Sequence, residues 1–131
     1  MDPQDGSLDG GALNAAIANE IGHLLADFTG RGATRSRAFV HDDVVVCLLE
    51  HSLTKAEQNL VTAGEAGAVR RLREVFQSTM ETELIGIVER LTGTRVRAFV
   101  SGTNVSTDTS TEVFLLEAGF HRGRLIRGKP K

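Results

Sequence analysis

Tryptophan and tyrosine are absent from this chain, cysteine occurs once and proline twice in 131 residues. With only six Phe as aromatics and a formal net charge of -2, the sequence has neither the basic footprint nor the stacking surface of a nucleic-acid binder. One cysteine cannot close an intramolecular disulfide. No segment joins a charged start, an apolar middle and a small-residue cleavage site, so a cytoplasmic location is expected. The longest unbroken apolar run, Val44 to Leu49, is far short of the ~20 residues a membrane-spanning helix needs, and no direct membrane insertion is expected. One domain of this length folds on its own core, so no metal, cofactor or disulfide is called for.

What the chain does contain is one stretch written twice. Glu20 to Glu50 reads EIGHLLADFTGRGATRSRAFVHDDVVVCLLE, and Glu83 to Glu117 reads ELIGIVERLTGTRVRAFVSGTNVSTDTSTEVFLLE. A shift of 63 places Glu20 on Glu83, Leu24 on Ile87 and Thr29-Gly30 on Thr92-Gly93; after a three-residue difference, Arg35, Arg37, Ala38, Phe39 and Val40 fall on Arg95, Arg97, Ala98, Phe99 and Val100. The expected fold is α+β, with two pseudo-symmetric helix–hairpin repeats (12–50 and 66–117) in the order α-β-β-α-α-β-β. A four-stranded antiparallel sheet is covered by helices on one face, and a pseudo-twofold relates the halves.

Residues 1–11 are polar and Gly-rich and read as a disordered leader; 12–119 form the domain; 120–131 are a basic tail. Leu13, Ile17, Ile21, Leu24 and Phe28 step by three or four and predict a helix closed at Gly30. Arg35–Val40 and Val44–Glu50 are β-rich runs around the turn-forming His41-Asp42-Asp43. Thr54 and Glu57 form a capping box that opens a short helix ending near Gly64. A long helix follows from Ala66 to Leu91, with Val69, Leu72, Phe76, Met80, Leu84, Ile87 and Leu91 as its stripe. At 1.5 Å per residue it would run roughly 39 Å, more than a small sheet needs as cover, which makes its near-heptad stripe a candidate homodimer seam. Arg95–Val100 and Thr111–Glu117 give the second hairpin, joined by a long polar loop, Ser101–Ser110.

Strand alternation puts Arg35, Arg37 and Phe39 on one side, and Arg95, Arg97 and Phe99 repeat the pattern, so the face away from the helices is expected to carry four guanidiniums. Rigid forks of donors suit bicarbonate, phosphate or carboxylate. The alternative is cross-strand pairing with acidic neighbours such as Glu50 and Glu117. His41, Asp42 and Asp43 are turn residues that cannot converge on a metal unaided. Cys47 sits among Val and Leu, where a thiol is inert. His23 and His51 have no partner at a catalytic spacing, and no nucleotide or nucleophile motif occurs, so no catalytic residues are assigned and no enzyme is expected.

The TGRG–R-x-R segment, the Asp-Asp turn before the Val run and the Leu-Thr-Lys-Ala-Glu capping box, together with the second LTG–RAFV hairpin, resemble the MpsC-like family of small bacterial proteins. The resemblance runs from about Ala15 to Gly119. It implies association with a cation-translocating, membrane-potential-generating system, and for a chain without a spanning segment it implies an accessory or regulatory role in a membrane-transport complex. The expectation is therefore a non-catalytic homodimeric protein that works by binding a partner or small ligand. The alternative is a small-anion sensor using Arg35, Arg37, Arg95 and Arg97.

Overall fold

The computed structural model describes residues 10–117 and the backbone of two short strand pieces beyond them. The expected leader as far as residue 9, and the side chains of the basic tail, lie outside the described residues. The elements are α1 (Gly10–Thr29), β1 (Arg35–His41), β2 (Val44–Glu50), α2 (Lys55–Thr62), α3 (Ala66–Thr92), β3 (Val96–Asn104) and β4 (Thr109–Leu116), with β5 (Phe120–His121) and β6 (Arg124–Leu125) paired to each other. The fold is α+β in the order read from the sequence. Helix α1 already begins at Gly10, two residues inside the expected leader.

The four main strands form one antiparallel sheet in the order β1-β2-β4-β3. Helix α1 packs on β1, α3 packs on β3, and the two helices pack on each other, so both lie on one face. Between helices and sheet sits a core of Leu13, Ile17, Ile21, Leu25, Val45, Cys47, Leu49, Leu84, Val88, Phe114 and Leu116. The punctuation follows the chemistry of the sequence. Gly30 and Gly93 close α1 and α3 at φ +83° and +70°, a region glycine enters without a Cβ clash. Thr54 and Glu57 form the capping box at the start of α2. Asp42, at φ 52°, leads the two-residue loop between β1 and β2.

Three local expectations are corrected. Helix α1 buries Leu25, while Phe28 is an exposed residue resting edge-on against Phe76. The buried stripe of α3 is Val69, Arg73, Gln77, Met80, Leu84, Val88 and Thr92, and Leu72 is 38% exposed. The polar stretch Ser101–Ser110 is mostly strand: β3 runs on to Asn104 and β4 starts at Thr109, leaving only Val105–Asp108 as the turn. Threonine's branched Cβ suits the pleat, and the Thr103 and Ser110 hydroxyls bond each other at 3.0 Å across the strands.

A fourth correction bears on function. The β3–β4 register slips between Val96 and Ala98, a bulge at Arg97. Before it Val96 pairs with Leu116; beyond it Ala98 pairs with Leu115 and Phe99 with Phe114. A one-residue slip sends every later side chain to the opposite face. Phe99 therefore points to the helix side, its ring 5.1 Å from that of Phe114, whereas Phe39 faces away from the helices and is 47% exposed. The alternation of β1 is not repeated in β3.

Candidate functional site

The sheet face turned away from the helices is apolar at its centre. The registers stack it in rows across β1, β2, β4 and β3: Arg37, Leu48, Thr111 and Gly102; then Phe39, Val46, Val113 and Val100; then His41, Val44, Leu115 and Ala98. A fourth row, Arg35, Glu50, Thr109 and Asn104, closes one end with polar groups. Eight apolar residues thus occupy the middle of a face that nothing covers among the described residues, with Val100 61% exposed. Large contiguous apolar surface of this kind marks an interaction site.

The four arginines of the sequence reading are not brought together. Arg35 and Arg37 belong to β1, Arg95 precedes β3 and Arg97 sits at its bulge, and β1 and β3 are opposite edges of the sheet. Three strand spacings, about 14 Å, separate those edges. Arg37 Nη2 lies 3.0 Å from Glu50, Arg97 Nη2 3.4 Å from Asp43, and Arg95 Nε 3.8 Å from Glu117. Arg97 also donates to the Leu116 carbonyl at 3.0 Å. These are cross-strand pairs at the sheet rim, largely open to water, where each contributes little stability.

The strongest polar cluster is elsewhere. Arg73 is buried and grips the Glu57 carboxylate with two nitrogens, Nε at 3.0 Å and Nη2 at 2.7 Å, while Nη2 also donates to the Ser52 carbonyl at 2.8 Å. Glu57 accepts in turn from the Thr54 N–H at 2.8 Å. Burial would raise this carboxyl, but the Arg73 and Thr54 donors outweigh it and hold the group below its ordinary range. Asp108, on the β3–β4 turn, accepts from the N–H groups of Ser52 and Leu53 at 2.9 and 3.1 Å. One ion pair thus ties α2, the β2–α2 connection and the first half of α3 together, and Asp108 adds the hairpin tip.

Deeper under α3 lies Glu112, 3% exposed, whose cross-strand partner is Cys47. The Gln77 amide nitrogen is 3.4 Å from its Oε2, and its Oε1 has no partner among the described residues. Burial pushes the Glu112 carboxyl up to about 8, against the opposing pull of Gln77, Ser101 and Arg73. Burial, with the Glu112 charge adding to it, pushes the Cys47 thiol up to about 12. A thiol with so little thiolate is no nucleophile. Sequence reading missed Arg73, Gln77 and Glu112. Their signal was present: Arg73 and Gln77 keep the phase of Val69 and Met80, and Glu112 alternates with Phe114 and Leu116.

Among the described residues no three His, Cys, Asp or Glu side chains are placed to hold a metal, and no helix is long and apolar enough to cross a membrane. His41 and Asp42 approach to 3.5 Å at the exposed turn. A hollow of about 320 Å³ lies between the start of α3 and the β3–β4 turn, lined by Val61, Ala66, Arg70 and Val105 among others. A smaller one, about 190 Å³, lies beside Gln77, Ser101 and Glu81.

The chain is an α+β scaffold with helices on one side of its sheet and, among the described residues, an apolar face left open on the other. Residues 10–118 match the family model described as the Na+-translocating membrane potential-generating system (MpsC), and the chain belongs to that family. Neither the comparison with curated proteins nor that with solved structures finds a match.

Proposed function

We propose that the protein is a non-catalytic accessory or regulatory component, cytoplasmic, that acts by protein contact in connection with a Na+-translocating membrane system. The observation that carries this reading is the open sheet face, whose eight apolar residues offer contact area and no reactive group. Three chemically capable side chains lie inside the fold: Arg73 paired with Glu57, Glu112 under α3 and Cys47 in the core. Family membership supplies the link to the membrane system. A homodimer, as expected from the sequence, is compatible with this reading and not required by it. A small-anion sensor built on Arg35, Arg37, Arg95 and Arg97 is the weaker one, since the four stand on opposite edges and three of them face carboxylates.

Deletion of the gene in its host, with Na+-dependent membrane potential read by a potential-sensitive dye, tests the proposal. The potential should fall and recover when the intact chain is restored. An unchanged potential in the deletion strain would overturn the reading.

A further inference from the structure

We infer that the occupant of the open sheet face is a second copy of this chain, docked sheet to sheet. The inference rests on the reading of the protein as one that acts by contact, and it names the partner. Strand β2 supplies the first reason. Its run Val44 to Leu49 is apolar on both sides, the pattern of a strand covered on both faces, yet among the described residues only Val45, Cys47 and Leu49 are covered.

Size is the second reason. Four rows of four residues, with the flanking Asp43, Arg95, Arg97 and Glu117, make a surface of twenty residues. A stable interface takes roughly 20–30 residues a side, so one copy of this face is enough for another.

Shape and charge are the third. The bulge at Arg97 leaves the face with a large residue at one edge, Phe39, and small ones at the other, Ala98 and Gly102 on either side of Val100. A dyad parallel to the strands and midway between the two stacked sheets carries β1 of one copy over β3 of the other. Phe39 then enters the low ground around Val100, and the same contact forms twice, as an isologous interface requires. The same rotation brings Val46 over Val113, Arg35 over Asn104 and Glu50 over Thr109, so no charge in these rows meets its like. Aligned packing of two twisted sheets tolerates the small rotation between them.

Light scattering on the full chain from 1 to 100 µM tests this. The expected mass is twice 14.1 kDa. Phe39→Lys and Val100→Asp should each weaken the dimer at least ~30-fold, the size of a hot-spot loss, with far-UV circular dichroism unchanged. Combining them should restore it, because each lysine then faces an aspartate. In a Phe39→Cys plus Val100→Cys chain the two positions lie about 14 Å apart within one copy, out of disulfide reach, so oxidation should link copies. A monomer at 100 µM, whether because the chain covers its own face or because nothing does, overturns the inference; so does a dimer that survives both single substitutions without a crosslink. Failure here is separable from failure of the proposed function. A monomeric chain whose deletion still abolishes the potential refutes the dimer alone, and a dimer whose deletion leaves the potential intact refutes the functional reading alone.

Discussion

Glu112 makes the stability of this fold depend on pH in a direction opposite to that of a paired carboxylate. Its side chain is 3% exposed, one oxygen has no partner among the described residues, and its carboxyl is pushed up to about 8. In the unfolded chain the same group titrates near 4.5. The folded state holds the proton more tightly, so the stabilisation is fully present below the unfolded value and is lost as pH rises towards 8. Between pH 5 and 7.5 the unfolded chain releases this proton and the folded chain keeps it. Stability then falls by about 1.4 kcal/mol per pH unit, close to 3 kcal/mol across the window. Glu112→Gln keeps the shape and the hydrogen-bonding capacity while removing the titration. Urea unfolding of both chains at half-unit steps from pH 5 to 8.5, at one fixed protein concentration, isolates the residue because groups not coupled to Glu112 cancel in the difference. The difference should grow by about 3 kcal/mol in favour of Glu112→Gln up to pH 7.5 and level off above 8. A difference that stays constant through that window would show that Glu112 is ionised in the fold, and would refute the account of its burial.

Arg73→Met leaves the Glu57 carboxylate buried without its partner and should cost about 3–5 kcal/mol; thermal melts of Arg73→Met with Glu57→Gln should recover much of that loss, since the stranded charge is gone. Cys47 should resist an aromatic disulfide reagent at pH 8 and react at the rate of unfolding, because the thiol is buried and pushed up to about 12.

The element order, the two glycine stops, the capping box and the first hairpin were all legible, because each depends on neighbours a few residues apart. The phases of α1 and α3 were harder to read. Apolar residues occupy two adjacent faces of each helix, and what decides between Leu24 and Leu25, or between Leu72 and Arg73, is where the sheet and the other helix stand. Arg73 is a residue type that is rarely buried, and the sequence reading assigned it no place. It is buried because Glu57 and Ser52, sixteen and twenty-one residues away, supply acceptors that no local pattern announces. The bulge at Arg97 was invisible for a related reason. RAFV is the same string in both halves, and only the partner strand, carrying Phe114 where β2 carries Cys47, decides whether Ala or Phe turns inward.

That difference also accounts for the shape of the open face. Exchange of β1 with β3 and of β2 with β4 leaves the sheet order unchanged, and it interchanges the pairs Val45–Phe114 and Cys47–Glu112 while returning Val46–Val113 to itself. An axis normal to the sheet between Val46 and Val113 relates the two hairpins in this register. Strict repetition would have put Phe39 and Phe99 at opposite edges of the open face. Two protruding rings would then meet each other when a second copy turned about a dyad parallel to the strands, and the central valines would be held apart. The extra residue at Arg97 removes one of the rings to the core, where it packs on Phe114, and leaves Ala98 and Gly102 in its neighbourhood. One irregularity in the second hairpin thus fills the core and leaves the outer face with a large residue at one edge and small ones at the other. A scaffold that kept perfect internal symmetry would have neither.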